Sequence, residues 1–197
     1  MFVVLRWIIG IAILFGIFVI TRKNKFSKQI LILSVIILSL LIATSSFFPI
    51  ENIFLTFSSP EKAYQYMGYN ELKVLIEGEN SCFAIDSKGK KALTIFKIEN
   101  GYKINTESNT KIKTSYKSQF IITVYKSTQT NECYIEIFNS DGGENTIFDS
   151  CNSQFIAKSE EFDNLNQTYY TYYAYITDKN DYWLSIDGQV HKIDMEF

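Results

Sequence analysis

The sequence predicts two N-terminal transmembrane α-helices followed by a mainly antiparallel all-β extracytoplasmic domain, sandwich or barrel-like. Three observations predict it. Residues 2–20 and 30–48 are apolar runs of membrane-spanning length. All 21 acidic residues lie from Glu51 onward. From Leu72 the apolar period changes from helical to alternating, in short β-branched and aromatic runs divided by turn pairs.

The first run carries one charge, Arg6, and 14 of its residues are Ile, Leu, Val or Phe. At roughly −0.3 to −0.6 kcal/mol each, these contribute about −4 to −8 kcal/mol to insertion, against at most about 3 kcal/mol for Arg6. An arginine one turn from the helix end can also snorkel to the interface, so insertion is favoured. The second run is uncharged and closed by Pro49. Its Ser34, Ser39, Thr44, Ser45 and Ser46 can bond their own helix carbonyls. Between the runs, residues 21–29 hold Arg22, Lys23, Lys25 and Lys28 and no acid. The positive-inside rule assigns this loop to the cytoplasm and both termini to the outside; Arg6 and the N-terminal amine are the weaker, opposing signal. Ala43-Thr44-Ser45 loosely resembles a signal-peptide cleavage site, but the apolar core before it is longer than such a peptide needs. Ala12 with Gly16, and Ser39 with Ala43, have the small-xxx-small spacing through which membrane helices pack.

The chain then divides into a hairpin over 1–48, a juxtamembrane segment over 49–68 and a β domain over 69–197. In the juxtamembrane segment Ser59 is a good N-cap, Pro60 suits the first helical position, Glu61 complements the helix dipole and Gly68 can end the helix. Ala63, Tyr64 and Met67 fall on one face. Strands are predicted over 73–77, 82–85, 93–98, 120–125, 134–138, 146–148, 169–177, 183–186 and 190–193. Asp86-Ser87-Lys88-Gly89, Asn100-Gly101, Asp141-Gly142-Gly143 and Asp187-Gly188 are the turn signals between them. Roughly ten strands without intervening helices indicate an antiparallel sandwich or barrel-like sheet.

Five of the 19 basic residues precede Pro49, so the outer part combines 14 with 21 acids, a net charge of −7. A surface of that sign is a poor partner for nucleic acid, whose phosphates supply most of the affinity. Cys133 and Cys151 are equidistant from Gly142; if the flanks of that turn form one hairpin, a cross-strand disulfide can span them. The other reading is two unbridged, half-buried thiols, with Cys82 a small core residue. His191 is the single histidine, with no Ser or Cys paired to it in sequence, so no catalytic residue is assigned. No Cys/His cluster has zinc spacing, and the acids of Asp141-Gly-Gly-Glu144 and Asp178-Lys-Asn-Asp181 do not fit a calcium loop. No metal and no cofactor is assigned. Asn166-Gln167-Thr168 matches a glycosylation acceptor, relevant only to a eukaryotic secretory chain.

The stretch from Tyr169 to Ile176 is the most unusual. Alternation puts Tyr169, Tyr173 and Tyr175 on one face and Tyr170, Tyr172 and Ile176 on the other. One face is expected to be core. The other is a candidate aromatic contact surface for a sugar ring or peptide, because tyrosine supplies rigid amphipathic area. The competing reading is that tyrosine is simply a favoured strand residue.

Phe57-Ser58-Ser59-Pro60-Glu61-Lys62-Ala63, then Asp149-Ser150-Cys151-Asn152-Ser153-Gln154-Phe155, then the tyrosine-rich strand, resemble a group of uncharacterised two-helix membrane proteins of clostridia and related Firmicutes. The resemblance implies a Gram-positive envelope and the two-helix topology, and no activity. The expected function is a membrane-anchored binding, sensing or assembly module, non-enzymatic, whose partners are the lipid bilayer and an envelope protein or glycan. An envelope enzyme acting on glycan or peptide through carboxylates, and an accessory or immunity subunit of a membrane complex, are the alternatives.

Overall fold

Where apolar and polar residues alternate, one side of an extended chain can bury while the other faces elsewhere, and this decides most of the strands. The computed structural model describes residues 2–23, 28–45, 51–69, 71–86, 92–105, 110–162 and 167–197. Two long helices come first, α1 (Phe2–Lys23) and α2 (Lys28–Ser45), then two short ones, α3 (Glu51–Phe54) and α4 (Pro60–Tyr66). Twelve strands follow among the described residues, and every pairing is antiparallel.

The strands form three sheets. The first is a meander of β1 (Leu72–Glu77), β2 (Ser81–Asp86), β3 (Ala92–Ile98) and β4 (Gly101–Lys103). The central sheet comprises β5 (Thr110–Lys117), β6 (Phe120–Ser127), β7 (Cys133–Asn139), β9 (Ile156–Phe162) and β10 (Gln167–Ile176), in the order β5-β6-β7-β10-β9. The third has the order β12-β11-β8, from β8 (Ile147–Asp149), β11 (Trp183–Ile186) and β12 (Gln189–Lys192).

Burial stacks these sheets. Ala63 and Tyr64 of α4 pack with Cys82, Ala84, Leu93 and Ile95 on one face of the first sheet. Its other face, through Val74, Ile76, Phe83 and Ile85, meets Tyr125, Tyr134 and Tyr173 of the central sheet. The opposite face of the central sheet, through Ile122, Ile135, Ile137 and Ala174, meets Leu184 and Ile186 of the third sheet and Tyr182, Ile193 and Met195 beside it. A sandwich or barrel-like arrangement is thereby refined to a helix and three stacked sheets, with the central sheet buried on both faces.

Helix α4 follows its sequence signals. The Ser59 hydroxyl accepts from the Lys62 N–H at 3.3 Å, and Gly68 takes a positive φ of 90° after the last turn. Three strands had no clear alternation signal. β4 is three residues long, and β5 and β9, rich in Lys, Glu and Ser, form the two edges of the central sheet, where charged residues block further pairing.

Described side chains cover residues 10–20 of α1 and 29, 32–40 and 43 of α2. Among the described residues no helix is long and apolar enough to cross a membrane. The two helices pack on each other, but not through the predicted small residues: a Cβ on Gly16 would meet open space, and Ala12, Ser39 and Ala43 are exposed, whereas Gly10 is buried. The centre of the basic loop (24–27), the turn residues 87–89 and Asn166 of the glycosylation pattern lie outside the described residues.

Candidate functional site

Parity along β10 is as the tyrosine alternation requires, but neither face is free. Tyr172 lies in the core shared with the third sheet and Tyr173 in the core shared with the first; both are buried. Tyr170 and Tyr175 are half-buried at the margins of those same cores, and Tyr169 stacks on Phe138 with centroids 6.0 Å apart and planes 9° apart. Of the candidate binding tyrosines, Tyr169, Tyr170 and Tyr175 are thus half-buried and Tyr172 and Tyr173 buried. The five rings divide between two faces of a sheet covered on both sides. Their phenols serve the fold: the Tyr172 hydroxyl accepts from the Asn145 N–H at 2.6 Å, and the Tyr175 hydroxyl donates to Glu132 at 3.3 Å. Burial, reinforced by the Glu132 charge, pushes the Tyr175 phenol up to about 12.

The hairpin on which a Cys133–Cys151 bridge depends is not formed. β7 does not form a hairpin with β8. It pairs with β6 and β10, while β8 crosses to the third sheet and pairs with β11. Cys82, Cys133 and Cys151 are free thiols. Burial pushes the Cys82 thiol up to about 12 and raises that of Cys133. Cys151, half-buried, donates to the Asp178 carbonyl at 3.1 Å.

Glu132, just before β7, anchors a polar cluster between the first and central sheets. Its carboxylate accepts from the Asn80 N–H at 2.7 Å, from Tyr175 and from the Ser81 hydroxyl, and Ser81 in turn lies 2.8 Å from the Tyr134 hydroxyl. Burial pushes its pKa upward, but hydrogen bonds from Ser81, Asn80, Thr130 and Tyr175 outweigh burial and hold the carboxyl below the usual range. Ser81 and Tyr134 are fully buried and Glu132 nearly so. The serine–carboxylate pair thus lacks both an access route and a histidine: the His191 ring is on β12 of the third sheet, across from Leu184. Asp149 is spent similarly on the Tyr182 hydroxyl and the N–H groups of Cys151 and Ser153. Among the described residues no three His, Cys, Asp or Glu side chains gather as metal ligands would.

The outer face of the third sheet is open. Register aligns Phe148, Ser185 and Val190 across its three strands. Trp183 stands two residues before Ser185, on the same face, opposite Lys192. Phe148 is 63 %, Val190 67 % and Trp183 38 % exposed, whereas Leu184 and Ile186, which alternate with them, are buried. Small Ser185 separates the apolar groups, and a Lys192–Asp181 ion pair at 2.7 Å lies at the tryptophan end. Alternation in Trp183-Leu184-Ser185-Ile186 is the signal by which the sequence could have pointed here: the two aliphatics share the inner face, so the indole must point out.

Compared with known proteins, the chain matches no family model, no curated protein and no solved structure.

Proposed function

We propose that this protein is a membrane-anchored, extracytoplasmic, non-enzymatic module that binds or assembles with another envelope component through the outer face of its third sheet. The observation that carries the binding reading is the uncovered row of Phe148, Val190 and Trp183 on a sheet whose inner face is continuous core. Exposed apolar side chains gathered on one face of a polar domain mark contact sites, and an indole beside a flat aromatic and a small hydroxyl suits a sugar ring or an extended peptide.

Anchoring is supported by α1 and α2, of 22 and 18 residues. Exposed apolar side chains surround the described parts, among them Ile11, Phe15, Ile20, Ile32, Ile36 and Leu40. A helix that is apolar on all sides is matched to a protein core or a bilayer, and among the described residues no sheet covers these. The basic loop 21–29 then lies in the cytoplasm and the β domain outside, in the Gram-positive envelope that the resemblance implies. For the enzymatic alternative, two acids would have to converge at an open pocket; Glu132 and Asp149, the buried acids described above, are instead consumed by internal donors.

Co-sedimentation of detergent-solubilised full chain with envelope material tests the reading. The Trp183→Ser/Val190→Ser protein should lose binding while melting within about 1 kcal/mol of the parent, as surface changes do. Protease treatment of the envelope abolishes binding if the partner is protein and spares it if glycan. Unchanged co-sedimentation of a folded double variant would refute this face as the contact surface.

A further inference from the structure

The short helix α3 carries two of the most exposed apolar side chains of the described chain, Ile53 at 74 % and Phe54 at 80 %, with Leu55 exposed beside them. Their backbone is nonetheless held firmly. The Asn52 side chain donates to the Ile104 carbonyl at 2.8 Å and accepts from the Ile104 N–H at 3.0 Å. Lys103 Nζ donates to the Asn52 and Leu55 carbonyls, both at 2.6 Å, closing the end of α3. Phe57 then pairs with Tyr102 through reciprocal hydrogen bonds of 3.0 and 2.9 Å. That close approach requires Gly101, since a Cβ there would lie 2.4 Å from the Phe57 carbonyl oxygen. A segment fixed to β4 at Asn52, Leu55 and Phe57 holds Ile53 and Phe54 away from the protein, with no packing to gain from the domain.

Chain length says what covers them. Five residues, Ser46-Phe47-Phe48-Pro49-Ile50, separate the end of α2 from α3. At about 3.3–3.6 Å per residue they allow roughly 20 Å between the two, and four of the five are apolar or proline. The headgroup layer outside the hydrocarbon core is itself about 5–8 Å deep on each side. We propose that α3 is a foot set in the outer bilayer interface: Ile53 and Phe54 enter the boundary between headgroups and acyl chains. Asn52 and Lys103 transmit that anchoring to the first sheet, so the β domain stands in one orientation on the membrane. This rests on the membrane reading of α1 and α2. It adds that the domain is seated on the lipid surface, where interfacial aromatic and aliphatic side chains are stabilised.

The test uses full chain in phosphatidylcholine vesicles, with Trp7→Phe and Trp183→Phe removing the native indoles and Phe54→Trp placing a single reporter on the foot. A second protein carries Ile37→Trp, midway along α2. The expected result is blue-shifted emission from the Phe54→Trp indole, quenched more by lipids brominated near the headgroup than near the chain end, and the reverse preference for Ile37→Trp. If Phe54→Trp emits as a water-exposed indole quenched by iodide while Ile37→Trp is quenched by the deep bromines, the membrane reading stands and the foot is overturned. Deeper quenching of Phe54→Trp than of Ile37→Trp would overturn its interfacial depth. If neither is quenched by lipid, both readings fall.

Discussion

Gly78 sits where the first sheet meets the central one. A Cβ there would lie 2.5 Å from the Tyr134 hydroxyl and 3.1 Å from both the Ser81 carbonyl and the Tyr175 ring. Tyr134 is fully buried and its hydroxyl donates to that same Ser81 carbonyl at 2.9 Å, so it has no room to retreat. Gly78→Ala should cost about 1–3 kcal/mol by overpacking, read from urea unfolding midpoints; an unchanged midpoint would show that the sheets can separate there without penalty. Glu132, beside it, links the same junction to pH. Its folded-state pKa is lowered relative to the ordinary value, so its contribution is fully present above the unfolded glutamate pKa and is lost as pH falls through the folded one. Glu132→Gln should destabilise at neutral pH by about 1–3 kcal/mol, because an amide meets hydroxyl and N–H donors where an acceptor is needed. It should also weaken the acid-side loss of stability. A parent-like slope of stability against pH below the glutamate range in the variant would place that proton elsewhere.

At the scale of elements, local alternation foretold a strand buried on one face, such as β11, and the Asp187-Gly188 signal foretold its end. Asp187-Gly188 has positive φ at both residues, 50° and 83°, as the tight hairpin between β11 and β12 requires. β5 and β9 were illegible because an edge strand is selected for charge as much as for packing. Lys73 of β1 pairs with Glu160 of β9, and Lys113 of β5 with Asp194, at 2.5 Å for the second. That Cys133 and Cys151 do not flank one hairpin has a topological cause. Symmetry about Gly142 is local, whereas β8 leaves the central sheet for the third and β9 returns to its far edge. Denatured protein purified without reductant should therefore alkylate three thiols. In the native state Cys151 should react first, with Cys82 and Cys133 protected by burial. A mass lower by two hydrogens with a single reactive thiol would restore the bridge.

For the whole molecule, the face assignment along the tyrosine strand was readable, but not the covering of both faces. That depends on two further sheets stacking against β10, a non-local fact carried by no single period. The exposed face of the third sheet was readable from Trp183-Leu184-Ser185-Ile186, though only once Leu184 and Ile186 are known to point into the core. Charge asymmetry acts at this scale as well: in the proposed topology the cationic hairpin loop and the outer part of net charge −7 lie on opposite sides of a membrane. Protease added to intact protoplasts tests that placement most directly. The predicted result is digestion of the chain after residue 49, leaving a protected fragment that contains α1 and α2. A β domain that survives in sealed protoplasts and is digested only after lysis would contradict it.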